Sequence, residues 1–79
     1  MNYRLLYFAS LRDAAGVAEE RVQSAARDPR ALYAEQAARH GFAFAPARLR
    51  VAVNGAFTGW DHALADGDEV AFLPPVSGG

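Results

Sequence analysis

Glu69-Val70-Ala71-Phe72-Leu73-Pro74-Pro75-Val76-Ser77-Gly78-Gly79 reads as a single strand followed by a stiff, then thin, carboxyl end. Val70 to Leu73 are apolar without a break, which suits a central strand of a sheet. Pro74-Pro75 ends that strand, because proline fixes φ and has no N–H to give to a ladder. Just upstream, Asp66-Gly67-Asp68 reads as a tight turn. Further back, Leu49-Arg50-Val51-Ala52-Val53 alternates as a half-buried strand does. It runs into Asn54-Gly55, a strong short hairpin signal, with a brief strand at Ala56 to Thr58.

The amino-terminal half supplies the remaining layers. Tyr3-Arg4-Leu5-Leu6-Tyr7-Phe8-Ala9 is short and rich in aromatic and aliphatic residues, and reads as a strand. Ser10 to Val17 reads as a loop with a helical turn at Leu11 to Ala15, ended by Gly16. Glu20-Arg21-Val22-Gln23 alternates weakly and is a candidate partner strand. Asp28-Pro29 starts a helix, with Asp28 as the capping acceptor and Pro29 in the first turn. Good helix formers follow to His40, and Gly41 suits the stop. Leu32, Tyr33 and Ala37 share its sheet-facing side, interrupted by Gln36. Phe42 to Arg48 is a connector, and Trp60 to Leu64 a loop under which Trp60 packs. The order strand, strand, helix, strand, short strand, strand is that of an α+β, ubiquitin-like β-grasp: a mixed sheet packed on one main helix. Residues 1–75 are expected to form that domain, and residues 76–79 a flexible Gly-Gly tail.

Size and charge narrow the function. The chain has 79 residues, enough for one modest core. Its formal net charge is −1, which gives no basic excess for nucleic acid and no charged run for a membrane surface. No stretch approaches the roughly 18 apolar residues of a membrane span, and no signal peptide is visible, so a cytoplasmic protein is expected. Cysteine is absent, which removes disulfides, thiolate metal sites and a cysteine nucleophile.

The tail is the chemically suggestive element. Pro74 and Pro75 hold the exit extended, and Val76, Ser77, Gly78 and Gly79 make a thin terminus able to thread into a narrow site. A carboxylate on Gly79 has no Cβ beside it. Adenylation with ATP would make it a mixed anhydride, and a sulfide equivalent could displace AMP to leave a terminal thiocarboxylate. Such a group would carry sulfur without a cysteine. Glycine-rich termini also arise with no function, so the tail gains its meaning from the fold that presents it.

Strand parity adds a docking surface. With Leu5, Tyr7, Val51, Val53, Val70 and Phe72 facing the helix, the period of two sends Leu6, Phe8 and Leu73 to the opposite face. Phe57 could extend this patch. Exposed apolar patches mark interaction sites, and this one would lie beside the tail. Asp61, Asp66, Asp68 and Glu69 crowd two turns and read as a solvated cluster or a recognition face for a basic surface. His40 reads as structural. His62 lacks companions at metal-ligand spacing, so no metal site is expected. No catalytic triad, phosphate loop or carboxylate pair is present, and the chain alone is not expected to be an enzyme.

Val51-Ala52-Val53-Asn54-Gly55, Trp60-Asp61-His62-Ala63-Leu64 and the run from Asp66 to Gly79 resemble the small-subunit family of molybdopterin synthase, and Tyr7-Phe8-Ala9-Ser10-Leu11-Arg12 resembles its opening strand. The resemblance spans almost the whole chain and implies a sulfur carrier. In that family the terminal glycine, here Gly79, is adenylated by a ubiquitin-activating-like adenylyltransferase that uses ATP, and a sulfurtransferase supplies sulfur. The loaded tail, here Pro74, Pro75, Val76, Ser77, Gly78 and Gly79, enters the large subunit. There it donates sulfur to cyclic pyranopterin monophosphate in molybdenum cofactor biosynthesis. The resemblance also implies a heterotetramer, no bound cofactor or metal, and partner contacts at Phe8, Phe57 and Leu73. Carriers for thiazole or cysteine synthesis, a ubiquitin-like protein modifier and a plain interaction module are the rival readings. Loss of Gly79 would disable every carrier but leave a plain module intact.

Overall fold

The computed structural model describes residues 1–75. Its elements are β1 (Asn2–Tyr7), α1 (Ala9–Ala15), β2 (Glu19–Gln23), α2 (Pro29–His40), a 3₁₀ turn at Pro46–Arg48, β3 (Arg50–Val53), β4 (Ala56–Thr58) and β5 (Glu69–Leu73). The strands form one mixed sheet in the order β2-β1-β5-β3-β4. β1 and β5 run parallel side by side, and the other neighbouring pairs are antiparallel. This is the expected β-grasp, with the first and last strands at its centre.

Local chemistry explains the helix boundaries. The Asp28 carboxylate accepts from the Ala31 N–H at 2.8 Å, and Pro29 occupies the first turn of α2. At the other end Gly41 adopts φ 75°, and its N–H reaches the Ala37 carbonyl at 2.8 Å. The β3–β4 hairpin turns on Asn54 (φ 51°) and Gly55 (φ 85°), and two successive positive φ values are what the tightest hairpin turn requires.

α2 covers one face of the sheet. Tyr3, Leu5 and Tyr7 of β1, Val51 and Val53 of β3, and Val70 and Phe72 of β5 all lie in the core with Leu32 and Tyr33. The parity read from the sequence therefore holds. Gln36 does sit on the buried side of α2, with its Oε1 accepting from Arg39 Nε at 3.2 Å.

Two readings are corrected. The first strand ends at Tyr7 rather than Ala9, and the helical turn expected at Leu11 to Ala15 is a longer helix, Ala9–Ala15, that buries Leu11. Ala9 enters it at φ 50°, a backbone state that an alanine does not advertise. Trp60 does more than fill space under a loop: its ring stacks on Phe72 at 6.0 Å and meets Tyr33 edge-on at 5.8 Å. Among the described residues no helix is long and apolar enough to cross a membrane.

Candidate functional site at the tail exit

The face of the sheet opposite α2 is assembled by register. Leu6 of β1 lies beside Ala71 of β5, Ala71 beside Ala52 of β3, and Ala52 beside Phe57 of β4. Directly paired residues share a face, so these four make an apolar row across the sheet. The neighbouring row is set by Leu73 opposite Arg50. Phe8 follows Tyr7 as Leu73 follows Phe72, which brings Phe8 to the same end of the sheet. Phe8 is 43% exposed and Phe57 64%, while Leu6 and Leu73 are half-buried.

The other half of this face is charged, with Arg21 directly opposite Arg4. Arg4 Nη2 lies 2.6 Å from the Glu19 carboxylate and its Nη1 3.4 Å from that of Glu69. The face is thus divided: ion pairs towards β2 and the start of β1, apolar side chains towards the end of β5.

The apolar half adjoins the exit of the chain. Pro74 and Pro75 leave β5 along a groove shared with Arg48, Arg50, Phe57 and Leu73. The Arg50 guanidinium carbon sits 5.6 Å from the centre of the Phe57 ring, and that of Arg48 5.9 Å from Phe44. The sequence reading missed both arginines as site residues. Arg48-Leu49-Arg50 was visible as a basic doublet flanking a core leucine, but its place beside Leu73 follows only from the β3–β5 pairing.

The structure thus brings Phe8, Phe57, Leu73, Pro74 and Pro75 to one end of one face. The expected tail residues Val76, Ser77, Gly78 and Gly79 lie outside the described residues. The acidic turn residues are largely committed to local bonds. Asp66 accepts from the Asn2 N–H at 2.5 Å, and Asp68 accepts from the Ala65 N–H at 2.8 Å and from Asn54 Nδ2 at 3.0 Å. The backbone and amide donors hold the Asp68 carboxyl below its usual value. Asp61 pairs with Arg30 at 3.1 Å. These groups lock turns, a use that accounts for their crowding without a basic partner.

His40 packs edge-on against Tyr7 and places Nε2 2.7 Å from Glu20. It holds the end of α2 against β2, on the core side of the sheet.

Comparison with known proteins finds relatives along nearly the whole chain. The model of the ThiS family matches residues 5–79. The molybdopterin synthase sulfur carrier subunit of Escherichia coli is 39% identical, over 96% of this chain and 98% of that protein. The protein of the same name from Haemophilus influenzae is 32% identical, over 95% and 96%. Among solved structures, the small archaeal modifier protein SAMP1 from Haloferax volcanii superposes with a TM-score of 0.83 at 27% identity, and all of each chain is covered. With a β-grasp sheet, a proline-stiffened exit and a family match that runs to the last residue, the chain belongs to the ThiS family.

Proposed function

We propose that this chain is the sulfur-carrying small subunit of a molybdopterin synthase. The observation that carries the reading is the 39% identity to a sulfur carrier subunit along almost the full length of both chains. The apolar end of the sheet beside the tail exit is the surface such a subunit needs for docking.

In this reading the Gly79 carboxylate attacks the α-phosphate of ATP on an activating enzyme, and pyrophosphate leaves. The resulting acyl-adenylate is open to a sulfide-level sulfur delivered by a sulfurtransferase. AMP departs with the bonding electrons of the C–O bond, and a thiocarboxylate remains. Phe8, Phe57 and Leu73 dock the chain on the large subunit. The tail then reaches the cyclic pyranopterin monophosphate, where the thiocarboxylate sulfur bonds to a side-chain carbon and displaces an oxygen substituent. Water cleaves the acyl C–S bond, which leaves the sulfur on the pterin and restores the Gly79 carboxylate. The carrier supplies the sulfur and its presentation, and the large subunit supplies the catalytic pocket. No cofactor or metal is resident in the carrier, which works in the cytoplasm, and the synthase is a heterotetramer.

The test is the intact mass of the protein after co-expression with its activating enzyme and sulfurtransferase. Exchange of one terminal oxygen for sulfur adds about 16 Da, as expected for an activated acyl group captured by a sulfur nucleophile. An unshifted mass in every fraction, with both enzymes active on another carrier, would reject the reading.

The likeness to SAMP1 favours a second reading, a protein modifier that joins Gly79 to lysines by an isopeptide bond. Both share the acyl-adenylate and differ in the nucleophile that follows. Recovery of the chain covalently attached to other proteins would favour the modifier.

A further inference from the structure

Arg50 is out of place on an otherwise apolar surface. Its strand position puts it beside Leu73 and on the same face as Ala52, and its guanidinium lies over the exposed Phe57 ring. Arg4, Arg30 and Arg39 each have a carboxylate within ion-pair distance, whereas among the described residues Arg12, Arg21 and Arg27 have none; what sets Arg50 apart is its place on the groove at the chain's exit. Among the described residues Arg50 has none, and neither has Arg48, its neighbour on the groove.

The free domain tolerates this because water reaches the guanidinium. A partner that covers Leu73 and Phe57 removes that water. An arginine desolvated without an anion opposes binding strongly, and one given a carboxylate does not. The surface that fits this face is therefore defined by two features: an apolar area for Leu73, Phe57 and Phe8, and an acidic side chain at its edge.

We infer that Arg50, with Arg48 beside it, pairs with an aspartate or glutamate of the large subunit, and that this pair fixes the register in which the tail is delivered. The inference rests on the proposed synthase reading and adds the chemistry of the partner's surface. The pair lies beside the tail exit, so it would fix how that exit is oriented on the partner's surface. Arg50 is a positioning residue and touches no reacting atom.

The experiment measures binding of the full-length chain to the large subunit of the same organism at low and at high salt. Arg50→Glu should weaken binding by about a hundredfold at low salt, because it sets two carboxylates against each other. Arg50→Leu should weaken it by about tenfold and flatten its salt dependence. Reversal of one acidic residue of the large subunit to lysine should restore binding to Arg50→Glu. Circular dichroism and urea unfolding of the free variants verify the fold. If the unsubstituted chain binds and Arg50→Glu binds within twofold of it, the inference is wrong and the synthase reading stands. If the unsubstituted chain fails to bind the large subunit at all, both are wrong.

Discussion

The Tyr7 hydroxyl donates to the Glu20 carboxylate at 2.6 Å, and that bond joins the core face of β1 to the edge strand β2. Glu20 also receives Arg39 and His40 from the end of α2. One carboxylate thus ties three elements together. Burial alone pushes its pKa up, but the hydrogen bonds from Arg39, Tyr7 and His40 outweigh burial and bring it from 4.5 down to about 2. Burial, and then the bond to Glu20, push the Tyr7 hydroxyl the other way, so it stays a donor.

A carboxyl whose folded pKa lies below its unfolded value stabilises the fold above pH 4.5, and that contribution is lost as pH falls towards about 2. Glu20→Gln should cost about 2 kcal/mol at neutral pH, since bonds to a charged group are weakened and one acceptor is lost. Its urea unfolding curve should then change less than that of the unsubstituted chain between pH 5 and pH 3. Equal acid sensitivity in the two proteins would assign the effect to other carboxylates.

Asn54 provides a second test, because it serves both the turn and β5. Its backbone takes φ 51°, its Oδ1 accepts from the Glu69 N–H at 3.0 Å, and its Nδ2 donates to Asp68 at 3.0 Å. Asn54→Ala should destabilise by about 2 kcal/mol, from lost side-chain bonds and the left-handed backbone. Gly55→Ala should cost about 1 kcal/mol through φ alone, since a Cβ there meets nothing within 4 Å. Chemical denaturation separates the two, and a neutral Asn54→Ala would show that the bridge to β5 is idle.

Much of this fold was legible before the structure, and the parts that were not have physical causes. Asn54-Gly55 and Asp28-Pro29-to-Gly41 carry their own turn and cap chemistry, so their elements followed from neighbours in sequence. The alternation in β3, with the period of two applied to the continuously apolar β1 and β5, announced which side chains meet α2. The start of α1 was hidden because Phe8-Ala9 continues an apolar strand pattern, and only the positive φ at Ala9 breaks it. The Glu20 tie was hidden because its partners Arg39 and His40 come from another element. Arg50 was invisible as a site residue for the same reason, since a strand's register, not its composition, puts it beside Leu73.

Leu73 separates folding from docking. It is half-buried on the face away from α2, whereas its neighbour Phe72 is fully buried in the core. Leu73→Asp should leave the fold intact, with a stability loss of about 1 kcal/mol, and abolish binding to the large subunit. Phe57→Ser, at a more exposed site, should change stability by less than about 0.5 kcal/mol and still weaken binding. Retained affinity in both variants would move the docking surface elsewhere.

The last prediction concerns the end of the chain. If Gly79 is loaded and unloaded at its own carboxyl group, one alanine added after it should stop the cycle. The added residue converts that carboxyl to an amide, whose carbonyl no longer ends in a group that ATP can activate. It also places a Cβ next to the new terminal carboxylate. The fold should be untouched, because β5 ends at Leu73 and the addition lies beyond Pro75 and the residues that follow it. Binding to the large subunit through Phe57 and Leu73 should largely persist, whereas the sulfur-dependent gain in mass and the synthesis of molybdopterin should both vanish. Restored synthesis by an extended chain, shown by mass to be untrimmed, would mean that the sulfur travels on some other atom.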